Sequence, residues 1–262
     1  MDTEAEDLGG DTTLVARLLE RAQNGEHDEV LRLAEKTLRE RTGDLADGDA
    51  GMHFVRVIAL RVLGRSSEAM SAIDLMLQSA EREGSQGWRS CALATRAYQR
   101  QLMGDQLAQH AVEAVLQDLV DAELALARGV EDTVIAEHAH TGIALGYNQL
   151  RLYELALPQY EAAYAVSAQD GRQSGHQSMW QSNIATLHLE WALELYRVGQ
   201  VAEAEQHSLA AAAHAALARH RAVAPGRPPA RRVRRCRRPR PGRGGAVNRA
   251  VRRRARGTWP TN

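Results

Sequence analysis

Residues 139–165 read AHTGIALGYNQLRLYELALPQYEAAYA, and this stretch decides the predicted fold. Small residues and tyrosines recur three or four positions apart on both sides of Arg151-Leu152, which is the spacing of one helix face. These positions are Ala144, Tyr147, Tyr153, Ala156, Tyr160 and Ala163. Small residues let two helices approach closely, and aromatic rings fill the adjoining holes. The stretch therefore predicts two antiparallel helices joined by a short turn.

The same pattern extends outward from this stretch in both directions. The predicted helices are 12–23, 28–41, 52–63, 67–83, 88–103, 106–128, 132–150, 153–168, 178–198 and 201–219. Five breaks, at Gly25, Gly64, Gly104, Arg151 and Gly199, are predicted to be equivalent hinges, and they lie 39, 40, 47 and 48 residues apart. Stacked hairpins bury the apolar stripes that each hairpin alone exposes. The prediction is an all-α solenoid of about five helical hairpins, with its loosest joint at 169–177.

The run at 139–165 resembles a tetratricopeptide repeat, with its small and aromatic residues at the family's positions. The unit at 186–212 is similar, and its matching residues are Ala192, Leu195, Gly199, Ala204 and Ala211. The resemblance covers about 12–218, although only these two units are specific and the family's proline at the repeat end is missing. It implies a right-handed α-solenoid.

The charge of the chain changes sign near Ala222. Residues 1–220 hold 33 acidic and 18 basic residues, a net of −15, whereas residues 221–262 hold 15 arginines and no acid. We therefore expect three segments: a disordered acidic lead at 1–11, the helical-repeat domain at 12–220, and an Arg/Pro/Gly-rich disordered tail at 221–262.

Two interpretations of the tail stay open. It is either a basic arm that binds the phosphate backbone of nucleic acid or the product of a shifted reading frame, because GC-rich codons read out of frame yield Arg, Pro, Gly and Ala. In the second case the natural protein continues into another domain. The nucleotide sequence across codon 221 distinguishes the two.

Catalytic and metal-binding motifs are missing from the sequence. The only lysine, Lys36, lies within a predicted helix and not in a phosphate-binding loop. Glu137-His138-Ala139-His140 lacks the second Glu-x-x-His of a di-iron bundle. His207 and His214 would share a helix face without a companion ligand, and Cys91 is expected to be a small buried hydrophobe. We therefore expect no catalytic residues, no metal and no cofactor.

The resemblance implies a binding role. In the family, the first helix of each hairpin lines a concave groove that holds peptides. Transferred to this chain, the groove residues are Arg61, Tyr98, Gln101, His138, Asn148, Gln149, Tyr196 and Arg197. Amide side chains can bond a peptide backbone, while Tyr and Arg provide anchor contacts. We call these eight the predicted groove residues.

The sequence thus favours a non-catalytic cytoplasmic scaffold that binds a peptide segment or a second copy of itself. The region 105–212 is also similar in style to helical-repeat input regions of actinobacterial diguanylate-cyclase-type signalling proteins. That likeness implies an alternative, a sensory or dimerisation region that has lost its output domain. The third alternative is nucleic-acid binding through the arginine tail. No run approaches the roughly 20 apolar residues of a membrane span, so we expect no membrane contact.

Overall fold

The computed structural model describes residues 11–41, 49–104, 109–130, 132–169 and 174–222. The chain divides into two units, Met1–Ala224 and Pro225–Asn262, and every described residue lies in the first. The acidic lead up to residue 10 and the tail beyond 222 lie outside the described residues, so the predictions made for them remain predictions.

The described residues form ten helices and no strand, which confirms the all-α prediction. They are α1 Asp11–Gln23, α2 His27–Glu40, α3 Asp49–Val62, α4 Ser66–Arg82, α5 Gln86–Met103, α6 Gln109–Ala127, α7 Thr133–Gln149, α8 Tyr153–Gln169, α9 Ser174–Arg197 and α10 Val201–Ala222. The joint predicted at 169–177 is shorter than expected, because α9 already begins at Ser174. Only 170–173 of that joint lie between the helices, outside the described residues.

The helices pack as a linear array of five hairpins. Each odd-numbered helix packs against the even-numbered helix that follows it, and the second helix of one hairpin packs against the first helix of the next. The first helices α1, α3, α5 and α7 also contact one another in sequence. Each hairpin therefore buries its apolar stripe against its neighbours, as the solenoid prediction requires.

The small and aromatic positions of the 139–165 repeat form the core of its hairpin. Ala144 and Ala156 are completely buried, and Tyr147 and Tyr160 are each 3% exposed. They belong to one apolar cluster with Leu119 of α6 and Leu187 of α9. The packing roles implied by the tetratricopeptide resemblance are therefore the roles that these side chains have in the structure.

Most of the predicted hinges share one helix-ending hydrogen-bond pattern. At Gly64, whose φ is +73°, the Arg65 N–H donates to the Leu60 carbonyl across the helix end at 2.9 Å. The same bond joins Leu152 to Tyr147 at 3.0 Å, around Arg151. This is the Schellman ending of a helix, which needs a residue in the left-handed region. Arg151 occupies that region with a φ of +59° although it carries a Cβ.

The prediction that Gly104 is an equivalent hinge is wrong. Its φ of −98° and ψ of 98° are extended, so α5 ends without the left-handed turn that closes α3 and α7. A glycine in the sequence marks the end of a helix, but it does not determine which of the possible helix endings is used.

Helices α5 and α7 approach each other through a glycine. A Cβ at Gly142 in α7 would lie 3.0 Å from the Cβ of Ala94 in α5. Farther along the same contact, a Cβ at Gly87 in α5 would lie 2.7 Å from Ile135 Cγ2 in α7, and a Cβ at Gly146 in α7 would lie 2.5 Å from Leu119 Cδ2 in the neighbouring helix α6. The distance between the axes of α5 and α7 is therefore determined by glycines, which have no side chain at these contacts.

The α5–α6 hairpin and the contact between α7 and α9 each contain a buried carboxyl group. Asp118 of α6 is 4% exposed and accepts hydrogen bonds from two arginines of α5, Arg96 at 2.6 Å and Arg100 at 2.6 Å. The carboxylate of Glu137 in α7 is fully buried and accepts the indole N–H of Trp180 in α9 at 3.0 Å. Both carboxylates are held by donors from a neighbouring helix, which is the condition for burying a charge without a large penalty.

We predict that Arg151→Gly raises the free energy of unfolding by about 0.5–1 kcal/mol, because glycine adopts a positive φ without steric cost. Arg151→Ala is the matched control, since it also removes the exposed ion pair with Glu194 (2.9 Å) but keeps the Cβ in the left-handed region. Urea unfolding of both variants measures the difference. Equal stabilities of the glycine and alanine variants would contradict the strain argument.

We predict that Gly142→Ala lowers the free energy of unfolding by about 1–2 kcal/mol, because two backbone-attached Cβ atoms cannot rotate apart. The loss should appear although alanine is the better helix former by about 1 kcal/mol. A double-mutant cycle with Ala94→Gly, followed by urea unfolding, tests the contact itself. The double variant should lose less than the sum of the single losses, and strict additivity would show that the helices do not meet there.

Candidate functional site

The predicted groove residues all lie on first helices of hairpins. Arg61 is in α3, Tyr98 and Gln101 are in α5, and the others are in α7 and α9. The side chains of α7 and α9 in this set are His138, Asn148, Gln149, Tyr196 and Arg197. The predicted placement on first helices therefore holds, while their role in binding remains a prediction.

Arg61 and Tyr98 contact each other between α3 and α5. The guanidinium carbon of Arg61 lies 4.5 Å from the centre of the Tyr98 ring, which is a cation–π contact. Burial lowers the pKa of Arg61, and the neighbouring Tyr98 opposes that shift. The Arg61 Nε hydrogen has no hydrogen-bond partner in the described part of the chain. This arginine is held by an aromatic face and by packing.

Three further predicted groove residues make contacts between first helices. Gln101 of α5 donates to the Gly146 carbonyl of α7 at 3.2 Å. Asn148 of α7 donates to Glu190 of α9 at 3.0 Å. The His138 ring of α7 lies 5.0 Å from the Phe54 ring of α3. Together with Arg61 and Tyr98, they connect α3, α5, α7 and α9 in series, so these five side chains serve the scaffold.

The remaining predicted groove residues are exposed and concentrated at the end of α7 and of α9. Gln149 is exposed, Tyr196 is 67% exposed, and Arg197 makes a surface ion pair with Glu194 at 3.2 Å. Two exposed leucines, Leu189 and Leu193, share the same face of α9 at helical spacing. We call Leu189, Leu193, Tyr196 and Arg197 the α9 patch. It joins two predicted groove residues, Tyr196 and Arg197, to two exposed leucines of the same helix face.

A cluster of histidines and aromatic rings lies inside the last hairpin. His188 Nδ1 of α9 lies 2.8 Å from His207 Nδ1 of α10. The His188 ring stacks with that of His214 at 5.6 Å, and Trp191 stacks on His207 at 3.9 Å. A hydrogen bond between two imidazole nitrogens needs one N–H and one bare nitrogen, so at least one ring of the pair is neutral.

Burial, together with His207 and His214, lowers the pKa of His188 below its ordinary value of 6.5. Burial also lowers the pKa of His207, against the opposing effect of Glu203 and Glu154. The two shifts agree with the short nitrogen–nitrogen contact, because both favour uncharged rings. The cluster is a packed part of the hairpin in which burial disfavours charge on His188 and His207.

The sequence spacing of His207 and His214 predicts a shared face but gives no sign of His188. No periodicity could have found His188, because it comes from the other helix of the hairpin and depends on the register of that pair. Within the described residues no group of three or more His, Cys, Asp or Glu side chains is arranged to hold a metal ion. Cys91 is 1% exposed, as predicted, and burial raises the pKa of its thiol.

Comparisons with known proteins return little. No family model matches the chain, and no curated protein matches it. A solved structure described as "MamA RS-1 ArsTM double mutant" is similar at 15% identity, with a TM-score of 0.41 over 79% of this chain and 96% of that one. The comparisons give no support to the expected likeness to diguanylate-cyclase-type signalling proteins. In the described ranges, none of the helices combines the length and hydrophobicity of a membrane span.

We predict that the stability of the last hairpin falls as the pH drops below 6.5. The folded pKa values of His188 and His207 lie below the unfolded value, so the unfolded chain binds protons first. The stability present above pH 6.5 is therefore lost as the pH falls toward the folded pKa values. Outside the last hairpin, burial in α3 lowers the pKa of His53 to about 4, so the stability of the folded chain as a whole continues to fall toward that pH.

Urea unfolding of the wild type and of His188→Gln at pH 7.5 and pH 5.5 measures the effect. The wild type should lose about 1 kcal/mol more than the variant between the two pH values. The readout is the pH dependence and not the absolute stability, since the substitution itself changes packing. Equal losses in the two proteins would show that the cluster does not titrate on unfolding.

Proposed function

We propose that this chain is a non-catalytic helical-repeat scaffold that binds a peptide segment of a partner protein, or of a second copy, through the predicted groove. The observation that carries the proposal is the α9 patch. Tyr196 and Leu193 are 67% and 52% exposed on a helix whose opposite side is buried, and Arg197 lies beside them. Exposed aromatic and aliphatic side chains on a rigid element are the usual anchors of a protein interface.

Residues at the end of α7 hold the helix that carries the α9 patch. Asn148 bonds Glu190, and Arg151 bonds Glu194, so the end of α7 is held beside the patch helix. Gln149 follows Asn148 and is exposed, which provides an amide for the backbone of an extended peptide. A peptide bound there would meet apolar anchors from α9 and a hydrogen-bonding side chain from α7.

The charge of the chain before the arginine tail favours particular partners. Residues 1–220 carry a net of −15. A negative field repels nucleic acid and acidic peptides and raises the local concentration of basic ones. We therefore propose a neutral or basic peptide with an apolar or aromatic anchor. A cytoplasmic location and the absence of catalysis belong to the same proposal.

We predict that Tyr196→Ala weakens peptide binding at least about tenfold while leaving helicity and stability unchanged, because the exposed ring makes no core contact. Peptides selected from a random display library against the full chain are the probe, and calorimetry measures their affinity. Leu155→Ala is the matched control, since Leu155 is 48% exposed on the second helix α8. Asn148→Ala is a poorer test, because it also removes the bond to Glu190.

The proposal fails if the selected peptides bind the Tyr196→Ala variant as tightly as the wild type. It also fails if Leu155→Ala reduces binding to the same extent, because the peptides would then be held by the other side of the hairpins. A library that yields no binder above background would count against a peptide groove of any kind.

A further inference from the structure

Helix α10 has an apolar buried face and an exposed face on which leucines and alanines lie among polar residues. The buried face presents Ala204, Ala211 and Ala218, spaced seven residues apart, and packs against α9. The Ser178 hydroxyl of α9 donates to the Ala218 carbonyl at 2.9 Å, so the two helices stay paired almost to the end of α10. The exposed face therefore belongs to a helix that is already fixed in place.

The exposed face carries large apolar side chains at its centre. Leu209 is 72% exposed, and Leu217 is 47% exposed. Exposed small residues, Ala212, Ala213 and Ala216, lie between them. The whole stripe, which we call the α10 seam, alternates steps of four and three residues through Ala202, Gln206, Leu209, Ala213, Ala216 and His220.

The spacing of the α10 seam is that of a helix that packs along a partner helix. Alternating steps of four and three give a repeat of 3.5 residues, which keeps one face in register with a second helix. Alanines between leucines allow the backbones to approach and provide holes for the leucines of the partner. A solvated helix face needs neither feature. The seam is therefore built for an antiparallel or parallel helix of similar composition.

The charges at the ends of the α10 seam select the orientation. Glu203 and Glu205 lie before the apolar centre, while Arg219 lies after it, and all three are exposed. Midway between Glu205 and Arg219 is Ala212, in the middle of the alanines. Two copies packed antiparallel about that point place Glu205 of each opposite Arg219 of the other. Parallel packing would place Glu205 against Glu205, and like charges across an interface are unfavourable.

We propose that the α10 seam binds a second copy of this chain, antiparallel and about a two-fold axis near Ala212 and Ala213. An axis at Ala212 places Leu209 of one copy at the level of Ala213 to Ala216 of the other, so Leu209 leaves water against small side chains. A two-fold interface requires one surface that complements itself, and a stripe with acid at one end, base at the other and an apolar centre has that property.

Residues 225–262 of the same chain suit the α10 seam less well than a second copy does. Residues 225–262 contain arginine, proline and glycine in abundance and no run of leucine or alanine that could pack along 22 helical residues. A segment with 14 arginines would also place positive charge beside Arg219. The second copy supplies both the apolar stripe and the reversed charge order.

This inference goes beyond the proposed function, because the α10 seam shares no residue with the α9 patch. A dimer would present two α9 patches on one particle, so a partner with two peptide segments would bind by avidity. A single pair of helices about 33 Å long is a small interface. We therefore expect a dissociation constant on the order of micromolar, with exchange between monomer and dimer.

Sedimentation equilibrium of the full chain over a range of concentrations tests the proposal. The wild type should be a monomer–dimer mixture, and Leu209→Glu should weaken association at least about a hundredfold, because it buries a charge at the centre of the seam. Leu124→Glu is the matched control, since Leu124 is 55% exposed on α6 outside the seam, and it should associate like the wild type.

A charge exchange tests the orientation. Glu205→Arg should weaken association about tenfold, because two symmetric pairs become repulsive. Glu205→Arg combined with Arg219→Glu should restore it, because the pairs are re-formed with reversed sign. Circular dichroism of each variant checks that the helices remain folded.

The proposal is overturned if the wild type sediments as a monomer at every concentration. It is also overturned if Leu209→Glu and Leu124→Glu associate equally, which would place any dimer elsewhere, including the groove. A dimer lost in Leu209→Glu but indifferent to both charge variants would contradict the antiparallel orientation.

Discussion

The close approach of α5 to α7 is the constraint on which the middle of the array depends. Gly142 lies against Ala94 with no room for a side chain between them, and Gly146 accommodates Leu119 from the other helix of the α5–α6 hairpin. A packed interior transmits such a contact to its neighbours because it cannot compress. The position of α7 fixes the Gly146 carbonyl that Gln101 bonds and the ring of His138 against Phe54. The positions of Gln101 and His138, two predicted groove residues, thus depend on the contact between Gly142 and Ala94.

The next joint is built differently. Between α7 and α9 the contacts are made by the ends of side chains, from Glu137 to Trp180 and from Asn148 to Glu190. Hydrogen bonds to a buried carboxylate are directional, so they fix orientation at a cost in desolvation that apolar contacts avoid. The contact between α5 and α7 is therefore determined by glycines, whereas the contact between α7 and α9 is determined by polar side chains. Among the described residues, the hairpin beyond that joint carries eight of the fifteen exposed large hydrophobic side chains.

Much of this fold follows from local sequence, and the exceptions have physical causes. Helical spacing and the breaks near Gly64 and Gly199 place most helix ends within a few residues, since these signals act within one or two turns. Three features escaped prediction: the extended Gly104, the early start of α9 at Ser174, and the contact between His188 and His207. The first depends on which of several endings a helix adopts. The other two depend on packing between helices, which spacing along one helix does not encode.

The same distinction, between what local sequence determines and what packing determines, applies to the predicted groove residues. A family pattern identifies which residues stand on the first helices, and the structure places all eight there. It does not identify which of them the scaffold uses, because that depends on whether a neighbouring helix is near enough to bond. Arg61 and Asn148 meet such neighbours, whereas Tyr196 near the end of α9 does not. A polar or aromatic side chain becomes available to a partner only where the array offers it no internal contact. Among the predicted groove residues, the exposed Gln149 at the end of α7 and Tyr196 at the end of α9 come nearest to that condition.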